Sequence, residues 1–158
     1  MKKKIEDLLP NKLNDFKLSD ARKWFARGLE GGINCPCCGR FAKIYHRRIY
    51  GSMVAFLVQL TRIYMKTPKA VDIKQLDVRG GDYAKLLYWG LVRQIGEGSW
   101  IPTKKGAEFA LGKIPLPKYV YLYNSRVLGF SEETVMVQES MGKFNYQELM
   151  YGNPERID

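Results

Sequence analysis

Histidine is almost missing from this chain, which holds a single one, His46, in 158 residues. The chain also has no Ser/Cys–His–Asp order, no phosphate-binding P-loop and no Gly-rich dinucleotide fingerprint, so the common catalytic constellations lack their residues. Asp72, Asp77 and Asp82 recur every five residues. That spacing does not put carboxylates on one helical face, so metal-dependent nuclease chemistry has no visible site. An enzyme is not expected. Long apolar runs are also lacking: the most apolar window, Met53 to Leu60, is too short to span a bilayer, and no membrane partner is expected. The opening MKKKIEDLLP starts basic, but Glu6, Asp7 and Pro10 interrupt it before an apolar run of signal-peptide length. Cysteine occurs only at positions 35, 37 and 38, which fits a reducing compartment better than a disulfide framework and points to the cytoplasm.

Positive charge is abundant: 26 Lys and Arg stand against 16 Asp and Glu, a net charge of +10. A balance this basic makes polyanions the expected partners, although it says nothing about fold. The charge is uneven. Residues 1–66 carry 14 basic and 5 acidic side chains, residues 67–118 carry 9 and 5, and residues 119–158 carry 3 and 6. A polyanion-facing surface therefore belongs to the first three quarters of the chain. Apolar content of 46% and aromatic content of 13% are those of a folded protein.

Along the chain, Ile5, Leu8, Leu9, Leu13 and Phe16 suit a weak amphipathic helix broken by Pro10, or an arm that orders on binding. Lys2 to Lys4 are candidate phosphate contacts, or simply a solvated tail. Ser19 reads as the cap of a helix through ARKWFARGLE, with Gly31 past its end. Trp24, Phe25 and Leu29 are expected to bury, and Arg22, Lys23 and Arg27 to stay exposed.

Cys35-Pro36-Cys37-Cys38-Gly39 has the shape of a zinc-knuckle turn, with Cys35 and Cys38 as a CxxC pair. A structural zinc needs four ligands, and the spare donors are Cys37 and His46. Three completions are open: Cys35, Cys37, Cys38 and His46 together, a metal shared between two chains, or a metal-free turn whose cysteines pack as small groups. A redox CxxC is a fourth use of the same residues, though no thioredoxin-like strand and helix surround it. Phe41 to Ile49 alternates like a strand and carries Lys43, Arg47 and Arg48 beside Tyr45. That pattern can contact phosphate and stack on bases, or cover a sheet face with aliphatic stems.

Met53, Phe56, Leu57, Leu60, Ile63 and Tyr64 repeat at helical spacing and predict a helix from Met53 to Lys66 with one buried face, stopped at Thr67-Pro68. Gly81 to Trp89 reads as a helix-like run ending at Gly90. GLVRQ, GEG and SWIPT then predict a hairpin, and TKKGAEFALG a closing helix. This succession, with its WGLV and W-I-x-T-x-K-G phrases, resembles the winged helix-turn-helix superfamily, in particular its MarR-like members, over roughly residues 52–113. The chain departs from that pattern in its very short second helix and in the DVRGGD turn. With the CPCCG turn before it and PKYVYLYNSRVLGF after it, it is also similar to small phage and prophage proteins.

The resemblance implies that Val71 to Leu76 is a short second helix, that Gly81 to Trp89 is a recognition helix which Asp82 can cap, and that the hairpin is a wing. Ala84, Leu87 and Leu91 would face the core, and Arg79, Tyr83 and Lys85 would face outward. Arg79 is then the candidate for base edges and Lys85 for phosphate, while Arg93, Lys104 and Lys105 fit backbone contacts around the wing. Trp100 is expected to anchor the wing in the core. Beyond Gly112, Ile114 to Pro117 reads as an extended link, Lys118 to Tyr123 and Arg126 to Phe130 as a hairpin around Asn124-Ser125, Thr134 to Gln138 as a third strand, and Phe144 to Tyr151 as a helix.

The expected class is α+β, with a basic segment at 1–50, a winged helix-turn-helix core at 51–113 and a C-terminal hairpin and helix at 114–158. The expected function is that of a phage-type DNA-binding regulator, a homodimer, with RNA as a variant ligand. The other reading is a protein-binding inhibitor or adaptor of a host factor.

Overall fold

The computed structural model describes residues 15–78 and 80–152, and the fold is α+β. The elements run α1 (Leu18–Gly28), β1 (Ile33–Asn34), β2 (Phe41–Ala42), β3 (Tyr45–Arg48), α2 (Gly51–Lys66) and β4 (Val71–Asp72). Two 3₁₀ segments follow, Ile73–Gln75 and Asp82–Trp89. Then come β5 (Val92–Gly96), β6 (Ser99–Pro102), α3 (Lys104–Ala110), β7 (Leu116–Pro117), β8 (Tyr119–Tyr123), β9 (Arg126–Phe130), β10 (Thr134–Val135), α4 (Val137–Ser140) and α5 (Tyr146–Tyr151). No helix among the described residues is long and apolar enough to cross a membrane. The predicted helix or arm at the start, with Lys2 to Lys4, lies outside the described residues.

The chain divides into two compact units: one contains residues 15–46 and 121–128, the other 47–120 and 129–152, with the division passing through β3, β8 and β9. Of the segment after residue 113, residues 121–128 fall in the first unit and the other described residues in the second.

In the first unit α1 starts two residues earlier than Ser19 as its cap predicts, with Lys17 at the N-cap. The Lys17 carbonyl accepts from the N–H groups of Asp20 and Ala21 at 3.0 Å, and no side chain caps the end. Leu29, just past α1, is buried, while Trp24 and Phe25 are half-buried and Arg22, Lys23 and Arg27 exposed. The Phe25 ring meets Tyr123 edge-on at 6.5 Å. β1 and β2 pair antiparallel, Ile33 opposite Ala42 and Asn34 opposite Phe41, and close the cysteine turn between them. Asn124 and Ser125 both take positive φ (49° and 60°), as a two-residue hairpin turn demands.

The second unit is built around α2. Met53 to Thr61 are all buried, so the helix is covered on every side rather than on one face. The reason is the number of its neighbours: the longer 3₁₀ segment, β6 and α3 pack against it, and so do α4 and α5 from the C-terminal part. Gln59 is buried with them and clamps the next loop. Its Oε1 accepts from the Asp77 N–H at 3.0 Å and its Nε2 donates to the Asp77 carbonyl at 3.4 Å and to Ala55 at 3.2 Å. A buried amide with both ends partnered fixes a loop that side-chain packing alone would not.

Two predicted helices take other forms. Val71 to Leu76 becomes β4 plus a single 3₁₀ turn, because Val71 and Asp72 pair with Trp100 and Ser99 and add a third strand to the hairpin, in the order β4–β6–β5. Asp82 to Trp89 is 3₁₀ rather than α. With three residues per turn, Tyr83, Leu86 and Trp89 align on one stripe, so Leu86 and Trp89 are buried while Leu87 is exposed. The expected core role of Leu87 is thereby corrected.

The hairpin itself forms as predicted, β5 against β6 with Arg93 opposite Ile101 and a register shift between Gln94 and Gly96. Trp100 is buried, its ring edge-on to Phe56 at 6.3 Å. Thr134 and Val135 pair with Pro117 and Leu116 as β10 and β7, and the chain then turns helical at Val137 instead of extending the strand to Gln138.

Candidate nucleic-acid interface

Each basic residue singled out in the sequence can be followed to its partners, starting with the 3₁₀ segment Asp82–Trp89. Its N-cap is Gly81, without a side-chain hydrogen bond, so Asp82 is not the cap. Asp82 instead accepts from the Tyr50 hydroxyl and, through Oδ1, from Lys85 Nζ at 2.6 Å. Lys85 is half-buried in this i,i+3 pair. The Tyr83 ring stacks on Phe56 at 4.7 Å with 24° between planes and meets Trp100 edge-on at 5.6 Å. Tyr83 thus belongs to the aromatic cluster under the hairpin rather than to an outward face. Arg79 lies outside the described residues.

The TKKG phrase is mainly structural. Thr103 is the N-cap of α3: its hydroxyl oxygen accepts from the Gly106 N–H at 3.0 Å and the hydroxyl donates to the Gly90 carbonyl at 2.7 Å. A Cβ on Gly106 would lie 2.0 Å from the Leu91 carbonyl oxygen, so only glycine lets α3 approach the start of β5 this closely. Lys105 Nζ donates to the Trp89 carbonyl at 3.1 Å and sits 6.0 Å from the centre of the Phe130 ring. It satisfies an end carbonyl of the 3₁₀ segment.

Lys104 is different: its side chain is 90% exposed, and its one ion pair among the described residues is a 4.0 Å contact to Glu108. Arg93 on β5 is exposed and forms no ion pair among the described residues. Arg47 and Arg48, the part of β3 in this unit, are also exposed. A cleft of about 350 Å³ opens at the start of α2, lined by Tyr50, Gly51, Ser52, Met141, Gly142, Lys143 and Phe144, and none of the expected contact residues lines it.

In the first unit, Lys43 is exposed beside a cleft of about 320 Å³ that it shares with Glu30, Ile44, Tyr45 and His46. His46 Nε2 lies 3.2 Å from Glu30 Oε2, and its ring packs against Tyr121 at 4.5 Å. The cysteine turn is closed by two backbone bonds, Cys35 N–H to the Arg40 carbonyl and Gly39 N–H to the Cys35 carbonyl, both 2.8 Å, with Gly39 at φ 74°. All three thiols are free, Cys37 and Cys38 exposed and Cys35 half-buried.

The Cys35 sulfur receives the backbone N–H of Cys38, which pulls the thiol below its ordinary pKa. Burial opposes this, and the Cys37 N–H and both neighbouring thiols support it. Such a cradle suits a thiolate, as zinc, copper(I) or an oxidant would require. The donor set for a metal is nonetheless partial: no group of three or more His, Cys, Asp or Glu among the described residues is arranged to hold a metal, and His46 is engaged by Glu30 and Tyr121. The N–H cradle around Cys35 follows from the turn's path, which the CPCCG spacing does signal. The Gln59 clamp and the Lys105 cap carry no comparable sequence signal.

No family model, curated protein or solved structure matches this chain.

Proposed function

We propose that this protein binds duplex DNA through its phosphates, using a winged-helix core whose wing is the β5–β6 hairpin. The observation that carries this reading is the separation of the cations of the second unit. Lys85 and Lys105 are tied to Asp82 and to the Trp89 carbonyl, whereas Arg93 and Lys104 stand exposed on the hairpin and at the start of α3. The succession of a long helix, two 3₁₀ segments, a hairpin and a closing helix supports the winged-helix reading. The net charge of +10 supports a polyanionic ligand. The 3₁₀ segment offers an exposed Leu87 and a paired Lys85, few donors for base edges, so most of the affinity comes from phosphate contacts and the protein reads shape more than sequence. A homodimer in a reducing, cytoplasmic setting completes the proposal, three free thiols being compatible with it.

A second reading, binding to a protein partner, is favoured by one observation. Leu87 and Ile95, 46% and 50% exposed, put apolar side chains on the segment and the hairpin that would otherwise meet the phosphates. Fluorescence anisotropy with a labelled short duplex separates the two. DNA binding at low salt that weakens at least several-fold in Arg93→Ala supports the first reading. No duplex binding at low salt, together with a stoichiometric protein partner on purification, replaces it with the second.

A further inference from the structure

We propose that the turn from Cys35 to Cys38 is one half of a zinc site, completed by the same turn of a second copy of the chain, with the Cys35 and Cys38 thiolates of both copies as the four ligands. The inference is independent of DNA binding and begins from the number of donors. Structural zinc is four-coordinate and takes thiolate and imidazole ligands. The 158-residue chain holds three cysteines and one histidine, and none of these lies outside the described residues. Cys37 and Cys38 are adjacent, and two consecutive residues strain tetrahedral ligation by both. His46 is held against Glu30 and Tyr121, beside a cleft that no cysteine lines.

One chain therefore supplies a two-thiol ligand and leaves two positions open. What it does supply is well prepared. The β1–β2 ladder and the backbone bonds Gly39 N–H to Cys35 carbonyl and Cys35 N–H to Arg40 carbonyl fix the turn that carries the thiols. Cys38 is exposed, as a ligand shared across a two-fold contact has to be. Binding four thiols to one zinc(II) ion releases a proton from each that is still protonated and leaves a centre of net charge −2. The described residues of this unit, 15–46 and 121–128, carry seven basic against three acidic side chains, so two such units repel each other until an anionic centre between them offsets that repulsion.

The test uses the full chain purified without added chelator, with zinc measured by elemental analysis and mass by native mass spectrometry. The expected result is one zinc per two chains in a dimer, and a halved mass when a strong chelator removes the metal. Cys35→Ser and Cys38→Ser are each expected to lose metal and dimer together, while Cys37→Ser keeps both. If the serine variants do not fold, the wild-type stoichiometry still decides. Cobalt(II) in place of zinc adds a second wild-type readout, with thiolate-to-cobalt absorption of the intensity of four sulfurs. One zinc per monomer, zinc lost in His46→Ala, a dimer that survives metal removal, or no zinc at all would each overturn the proposal.

Discussion

The two units solve the problem of stability differently. The unit around α2 buries nine consecutive helical residues, together with Trp89, Leu91, Phe109, Leu116 and Met141, and rests mainly on side-chain packing. The unit around the cysteine turn buries no residue of α1, has two-residue strands and rests on an edge-on ring pair and a few backbone bonds. Burial of large apolar side chains stabilises by about 1.5–3 kcal/mol each. The first kind of unit can therefore carry a functional surface on a stiff frame, and the second is the kind that small domains staple with a metal. The difference explains why the exposed cations of interest on the hairpin have packed neighbours beneath them, while the three thiols sit where the chain is thinnest.

The largest expected effect strikes the α2-centred unit. Trp89→Ala removes a fully buried indole and its hydrogen bond to the Pro117 carbonyl, 2.9 Å. It should cost about 3–5 kcal/mol, measured by denaturant unfolding. A loss below about 1 kcal/mol would contradict a core centred on α2 and the 3₁₀ segment. Next comes Gly106→Ala, which forces a Cβ toward the Leu91 carbonyl and should cost about 1–3 kcal/mol. A neutral result in the same assay would show that α3 can withdraw from β5.

Phe25→Ala sharpens the contrast from the other side. Its cost of about 1–2 kcal/mol should fall on hydrogen-exchange protection of residues 15–46, with protection of α2 unchanged. Equal losses in both units would merge them into one cooperative body.

The smallest effect depends on pH. Burial raises the Tyr146 hydroxyl above the ordinary tyrosine pKa, with the charge of Tyr151 adding to it, and the hydroxyl donates to the Ala110 carbonyl at 2.6 Å. A folded-state pKa raised in this way gives stability that is complete below the unfolded-chain pKa and disappears as pH rises through the folded one. Tyr146→Phe should cost about 1 kcal/mol at neutral pH and flatten the alkaline loss of stability. An alkaline limb identical to that of the wild type would assign it to other groups.

Legibility in the sequence followed the range of the interaction that decides each element. The β8–β9 hairpin was readable because alternating apolar residues flank Asn124-Ser125, and the β5–β6 hairpin because GEG separates two apolar runs. α2 was readable as a helix, but not as a fully buried one, since its second side is covered by α4 and α5, far along the chain. β4 has no strand signal of its own, because only its pairing with Trp100 and Ser99 makes it a strand. Ser19 and Asp82 are good capping residues that do not cap, each displaced by a chain path that starts the helix earlier or spends the carboxylate on Tyr50 and Lys85. In the candidate interface, residue type names the cations and cannot sort them. Lys85 and Lys105 differ from Arg93 and Lys104 only by partners that the fold brings to them.

That sorting is tested most directly by the salt dependence of duplex binding for the wild type, Arg93→Ala and Lys104→Ala. The expected result is a linear fall of log affinity with log salt, shallower by about 1 for each variant at unchanged unfolding stability. Binding that ignores salt, or variants with the wild-type slope, would contradict a phosphate-facing wing.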